Sequence, residues 1–495
     1  MSRIIMGPFN RVEGDLEVQL DVHDGLVTHA HVCAPMYRGF ENLLLGRDPY
    51  DALTIAPRIC GICSVSQSMA AARALADASG AQPPSNGALA CNLMLACENL
   101  ADHLTHLFVF FLPDFTRPLY ATRDWYAQAC QRYGAFQGLQ ASHVPGARTS
   151  AVLATRARWL QIIGQLGGKW PHTGAILPGG SSRSIDASER MRLLALVREM
   201  RASLEADVLG GTIEALLSLN DVGKFEEWCH RAPQSDLGFF WRMAQDSGLS
   251  QLGHGPGRLL SYGAYPDQDG LRLWRPGVMQ LDDATSVLLD IQTISEDVHH
   301  AWLHTGPEQR ALHPSEGVTL PAADKSPAYS WSKAPRLQGS VVETGALARQ
   351  CVDGLPLARA LVRRYGACVL TRVVARLLET GRIVAAMERW LKILRPGEPY
   401  HLEADLPAEA SGVGLVEAAR GSLGHWISVQ NGRISRYQIV APTSWNFSPR
   451  DAQGQPGALE TALVGAPMDP GAPQHSVAVQ HIVRSFDPCM ACTVH

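Results

Sequence analysis

The sequence predicts an α+β fold that is predominantly helical, a long-helix bundle core with an N-terminal β-hairpin and small peripheral sheets. Three observations lead there. Residues 15–34 alternate between apolar and polar around Asp24-Gly25. Residues 86–112 read as one long helix, nearly apolar on all sides. Beyond Pro396 the pattern breaks into short runs separated by turns.

In the first of these regions Leu16, Val18, Leu20 and Val22 point one way, the chain turns at Asp24-Gly25, and Leu26 to Val32 returns. This is the signature of a hairpin. Residues 50–79 read as helical, with Ala71, Ala72, Ala74 and Ala76 small enough for close packing. The 86–112 segment is expected to be a buried helix ended by Pro113. Further helices are expected at about 150–166, 186–218, 280–303 and 344–394. The Gly-, Pro- and Ser-rich segments 168–185 and 304–340 read as surface loops. Short strands are expected at Trp426 to Val429 and Ile434 to Val440. One domain over 1–495 results: the hairpin, a helical core over about 50–395, and an irregular region over 396–495.

Composition narrows the function. With 46% hydrophobic and 18% charged residues, the 495-residue chain has ample interior for a large core. Its 43 basic and 47 acidic residues, net −4, argue against nucleic acid or an anionic membrane as main partner. The 11 cysteines are an odd number in a large chain, which points to a reducing compartment. No signal peptide is evident, and the apolar run near Leu104 to Leu112 is too short and His-rich to span a bilayer. A cytoplasmic location is expected.

The chemistry lies in two Cys-x-x-Cys pairs, Cys60 and Cys63 near the start and Cys489 and Cys492 at the end. Two residues of spacing let both sulfurs of a pair face one ion. Each pair alone could be redox-active, structural or accidental. Together they favour a soft metal: zinc, copper(I) or an iron–sulfur cluster, although such clusters usually take closer cysteines. Zinc ribbons close over roughly 15–20 residues, whereas here nearly the whole chain intervenes. If the pairs meet, the metal sits in the middle of the fold.

The flanks of these pairs resemble the large, catalytic subunit of nickel–iron hydrogenases. The motifs run in order: Arg11-Val12-Glu13-Gly14, Arg38-Gly39-Phe40-Glu41, Gly46-Arg47-Asp48-Pro49, and Arg58 to Cys63. Then come Glu417-Ala418-Ala419-Arg420-Gly421, Ala441-Pro442-Thr443-Ser444-Trp445-Asn446, Ser448-Pro449-Arg450-Asp451, and Asp487 to His495. The resemblance implies that Cys60, Cys63, Cys489 and Cys492 hold nickel, with Cys63 and Cys492 bridging to an iron that carries one CO and two CN ligands. It implies Glu13 as proton gate beside Cys489, and Arg420, Asp114 and Asp487 as a charged group above the metals. Pro442 and Thr443 would receive the cyanides. Glu41, His495 and the carbonyl of Ile439 would bind Mg2+. The chain has no iron–sulfur motif of its own, so an iron–sulfur small subunit is implied, as a heterodimer or a dimer of heterodimers.

Departures from the family pattern refine the expectation. Gln67 stands where His is usual, and Ala419 where Pro is usual. Ile62 and Phe110 occupy gas-channel positions that are commonly Val and Leu. Gln67, Ile62 and Phe110 together resemble the regulatory, H2-sensing hydrogenases, in which a narrowed channel would exclude O2 more than H2. The end at His495 agrees, since catalytic relatives usually carry an extension that is removed after metal insertion. The expectation is a cytoplasmic H2 sensor that cleaves H2 slowly in air and signals through a histidine kinase. The alternative is an ordinary uptake hydrogenase in processed form. Metal-free quinone-binding relatives lack the thiolates, and a structural zinc protein would not need these flanks.

Overall fold

Alternation at the N-terminus folds as expected and recruits one more strand. In the computed structural model, which describes residues 2–137, 142–267, 269–282, 284–306, 311–469 and 471–495, Glu17–His23 and Leu26–Cys33 form the hairpin. Ser2–Met6 adds along the outer edge of Glu17–His23, with Met6 opposite Val18. One face of the hairpin is buried through Val18, Leu20, Val27 and Val32.

The central helices are buried nearly all round. Ser85–Thr105 exposes almost nothing between Asn86 and Leu104. It does not stop at Pro113: a π-helical turn, His106–Phe111, and a 3-10 turn, Leu112–Thr116, carry the chain on. Pro113 is tolerated because it lies in the first turn of the new element, where no donor is needed. Val369–Ile393 lies against Ser85–Thr105 and against Ala187–Ser203, which starts with an Asp186–Glu189 capping box. The helical reading of 150–166 is matched by Ala147–Trp159 and Gln161–Gly167, and that of 344–394 by three helices from Ala346 to Ile393. The 186–218 helix is interrupted by a π turn at Leu204–Leu209.

Several expectations are corrected. Among the described residues, 280–303 hold no α-helix. Gly277–Gln280 pairs with Arg258–Ser261 and with Ser286–Val287, and Ile294–Asp297 pairs with Ala334–Leu337. Val287, Thr293 and Ile294 suit strand pairing, and Asp290, whose carboxylate accepts from the Gln292 backbone N–H, caps only the 3-10 turn Ile291–Thr293. The stretches 168–185 and 304–340 are not simply surface loops, because Ile176, Ser181, Ser330, Lys333 and Arg336 are buried; residues 307–310 of the second lie outside the described residues. The region after 396 is more regular than expected. Ala410–Ala418, Gly421–Gln430 and Arg433–Val440 form a three-stranded antiparallel sheet. Among the described residues, no helix is long and apolar enough to cross a membrane.

That sheet sits directly on Ser64–Ser79. A Cβ added at Gly414 would stand 1.9 Å from the Ala70 carbonyl oxygen, and one at Gly412 would stand 2.1 Å from that of Ala74. Alanines on the helix and glycines on the strand therefore let backbone approach backbone. The helix carries the first cysteine pair at its start, and the sheet leads through Pro442–Asn446 toward the chain end.

Candidate metal centre

The two cysteine pairs meet. All four sulfurs lie within 4.8 Å of one another, and all four residues are buried. Cys63 Sγ is 3.1 Å from Cys492 Sγ, Cys489 Sγ is 3.0 Å from Cys492 Sγ, and Cys60 Sγ is 3.5 Å from Cys489 Sγ. Cys63 is the N-cap of Ser64–Ser79, and Cys489 precedes the short Met490–Thr493 helix. Thiols at this spacing share charge. Cys489, Cys492 and Cys63 donate to Cys60 and hold its pKa well below the ordinary thiol value, while Cys63 and Cys492 are held well above it. Four ionised sulfurs here would demand a cation at their centre, and a soft divalent metal fits that donor set.

Arg38 ties the two turns together. Its guanidinium donates to the Ile59 carbonyl beside the first pair and, at 3.2 Å, to the Ala491 carbonyl within the second. Its amide donates to Val494 O at 3.0 Å. The sequence motif contained Arg38 but gave it no task. The first turn is also held from the other side by Glu98, whose carboxylate accepts from Val65 N, Ser66 N and Trp170 Nε1. Glu98 sits within an apolar helix, where nothing in the sequence pattern marks it.

Glu13 is docked on the second turn by its backbone. Met490 N donates to Glu13 O at 2.7 Å, and Glu13 N donates to Pro488 O at 3.5 Å. Gly14 makes this possible, since its φ is +79° and a Cβ there would stand 2.8 Å from Ala491 N. Burial, and then Cys60, raise the Glu13 carboxyl above its ordinary range against the pull of Arg420 and Arg38. A cavity of about 270 Å³ lined by Glu13, Arg38, Arg58, Cys60, His172 and Met490 joins this corner to the outside.

Arg420 is fixed over the sulfurs by two carboxylates. It meets Asp102 at 2.5 and 3.1 Å and Asp487 at 3.2 Å. One guanidinium cannot neutralise both in a buried setting. Burial pushes Asp102 up to about 8 despite Arg420, whereas Arg420 overcomes burial at Asp487 and holds it below its ordinary value. The expected third member, Asp114, is not in this group. It is buried among Arg11, Arg117 and Arg484, with 2.8 Å to Arg117 and 2.5 Å to Arg484. Burial opposes its charge, but the three guanidiniums outweigh that and hold it well below the carboxylate range. Asp102, on Ser85–Thr105, takes the place expected of Asp114, which lies beyond the π turn at His106–Phe111 in the Leu112–Thr116 turn. Asp102-His103, two adjacent titratable residues on a mostly apolar helix, is the sequence signal that could have found it.

Thr443 and Pro442 open the Pro442–Asn446 helix, and Thr443 Oγ1 accepts from Cys489 N at 3.0 Å. Gln67 Nε2 lies 3.9 Å from Cys492 Sγ. Ile62 lies between the first two cysteines and packs against the main core. Phe110 is in the π turn, and its carbonyl accepts from Arg11 at 2.9 Å.

Glu41 and His495 also meet, at 3.2 Å, and Ile439 N donates to Glu41 Oε1 at 2.8 Å. A buried lysine that the sequence did not reveal, Lys333, lies 3.1 Å from Glu41, 3.3 Å from Glu296 and 2.6 Å from Gln438 Oε1. Burial opposes the Glu41 charge, but Lys333 and His495 bring its pKa to about 2. A carboxylate, an imidazole and an adjacent backbone segment suit a hard divalent cation that keeps several waters.

Comparison with known proteins agrees with this chemistry. Residues 38–133 and 150–495 match the family described as nickel-dependent hydrogenase. The periplasmic [NiFeSe] hydrogenase large subunit of Desulfomicrobium baculatum is 31% identical over 530 residues, covering 100% of this chain and 95% of that protein. The hydrogenase-1 large chain of Escherichia coli K12 is 29% identical over 591 residues, with the same coverage. Among solved structures, the reduced Ni-Fe-Se hydrogenase of Desulfovibrio vulgaris Hildenborough superposes with a TM-score of 0.84 at 30% identity, covering 100% of both chains.

Proposed function

The chain belongs to the nickel-dependent hydrogenase family and is the catalytic large subunit of an H2-oxidising enzyme; from that premise we propose that it is a regulatory hydrogenase, a slow, air-stable H2 sensor. The observation that carries the chemistry is the convergence of four buried sulfurs with Glu13 docked on their turn. The sensory reading rests on the identities of Gln67, Ile62 and Phe110, larger or differently polar than the residues common at those positions.

In this reading Cys60, Cys63, Cys489 and Cys492 would hold nickel, Cys63 and Cys492 would be shared with an iron carrying one CO and two CN ligands, and Pro442 and Thr443 would receive the cyanides. Bound there, the nickel–iron group supplies the two-electron chemistry that splits H2 into unequal halves. The protein's own part is to take away a proton and to keep the site dry. Glu13, raised by burial, accepts that proton next to the Cys489 turn and passes it into the cavity lined by Arg38 and His172. Arg420, aimed by Asp102 and Asp487, keeps a fixed positive charge beside the sulfurs. Asp114 serves instead to hold Arg11, and through it the loop that carries Glu13. Glu41, His495 and the Ile439 carbonyl would bind Mg2+ beside the last turn of the chain.

Electrons leave through an iron–sulfur small subunit, singly or as a pair of heterodimers, and the signal passes to a histidine kinase in the cytoplasm. The runner-up is an uptake hydrogenase, the name carried by a relative from Rhodobacter capsulatus that is 28% identical. Activity in air separates them. The sensor retains slow H2 oxidation after exposure to O2, and Ile62→Val with Phe110→Leu makes it O2-sensitive. Rapid irreversible inactivation of the unaltered protein by O2 would overturn the sensory reading.

A further inference from the structure

Behind Cys492 runs a row of three buried polar side chains. Gln67 Nε2 faces Cys492 Sγ at 3.9 Å, and Gln67 Oε1 lies 2.8 Å from His425 Nε2. His425 Nδ1 lies 2.7 Å from the Tyr437 hydroxyl. Gln67 comes from Ser64–Ser79, His425 from Gly421–Gln430 and Tyr437 from Arg433–Val440. All three are about 1% exposed or less. The reach of His425 to Gln67 depends on the close approach of sheet to helix, for the cross-strand partner of His425 is Gly414.

A closed row of donors and acceptors must be consistent in direction. A metal-ligating sulfur can only accept, so Gln67 has to present its NH2 to Cys492 and its oxygen to His425. His425 then carries its proton on Nε2, and its Nδ1 accepts from the Tyr437 O–H. Burial keeps His425 neutral, with its pKa lowered to about 3, so it has one N–H to place. The opposite tautomer fails twice. It would turn the Gln67 oxygen against the sulfur, and it would leave the Tyr437 hydrogen with no acceptor in the row.

We infer that His425 and Tyr437 are positioning residues of the metal centre, which lock the Gln67 amide so that its N–H is delivered to the Cys492 sulfur. This rests on the proposed role of Cys492 as a ligand shared with iron. A hydrogen bond to a ligand sulfur withdraws electron density from the metals, which raises their reduction potential and weakens donation from iron into bound CO. The row therefore tunes the centre from a tyrosine that never touches it.

Infrared spectra of the purified large-subunit–small-subunit complex test this. Tyr437→Phe, which keeps the ring and removes the donor, shifts the CO band to lower wavenumber. Gln67→Leu shifts it the same way, and the double variant goes no further than Gln67→Leu alone. A band in Tyr437→Phe that coincides with the unaltered protein while Gln67→Leu moves would overturn the role of Tyr437; no movement in Gln67→Leu would overturn the whole row. Nitrogen-15 histidine NMR of the unaltered complex gives a reading independent of variants. The Nε2–H tautomer at His425 is expected, and Nδ1–H would refute the assignment. Absence of any CO or CN band in the unaltered complex would instead defeat the proposed function.

Discussion

Replacing Glu13 by glutamine separates proton transfer from everything else the 11–14 loop does. The loop is held by main-chain bonds, Met490 N to Glu13 O at 2.7 Å and Glu13 N to Pro488 O at 3.5 Å, and an amide side chain leaves both in place. Glu13→Gln also removes a carboxylate already destabilised by burial, so the cost to folding is small, within about 0.5 kcal/mol. A positioned acid or base contributes about 10²–10⁴ in rate, equivalent to about 3–5 kcal/mol of barrier. H2 turnover should fall by that factor while nickel content and the infrared bands under inert gas stay unchanged. Glu13→Asp, one methylene shorter, should recover part of the loss. The assay is hydrogen–deuterium exchange beside dye-coupled oxidation. Full exchange into solvent in Glu13→Gln would show that protons leave by another route and refute the role given to this carboxylate.

Three further outcomes follow from the same structure. Arg38→Met removes the contacts to Ile59 O and Ala491 O that join the two cysteine turns; purified protein should hold markedly less nickel, and unchanged loading would contradict the staple. Lys333→Met strips the cation from buried Glu41 and Glu296, which should lower the unfolding free energy from urea titration by about 3–5 kcal/mol, and added Mg2+ should restore part of it through Glu41 and His495. Burial raises Glu460 to about 7 from an ordinary 4.5, so its contribution is full below about 4.5, declines as pH rises, and is gone above about 7. Unfolding free energy should lose about 3 kcal/mol across that window, and Glu460→Gln should remove that slope; an identical slope would refute it.

How far the sequence reveals the site depends on what kind of residue is asked about. The cysteine pairs are legible from their two-residue spacing, whereas Glu13 and Arg420 are singled out only through the resemblance of their flanking motifs. The hairpin was legible because alternation and an Asp-Gly turn are local signals. Residues 280–303 misled because their apolar content fits either period, and pairing with Arg258–Ser261 and Ala334–Leu337, distant in sequence, decided the outcome. Asp102, Glu98 and Lys333 stayed hidden for a related reason. Each is a buried titratable side chain whose partners come from 32 to 318 residues away. Asp114 follows the apolar helix of Asp102 in sequence, but its partners Arg11 and Arg484 lie far away in the chain, and they place it in another group of arginines.

The central claim is that the four sulfurs hold a nickel–iron centre with diatomic ligands on iron. Infrared spectroscopy of the purified protein under H2 and then under air tests it most directly. One band from iron-bound CO and two from CN should be present, change under H2, and return after air. A spectrum without these bands, from protein that carries zinc at the four cysteines, would contradict it.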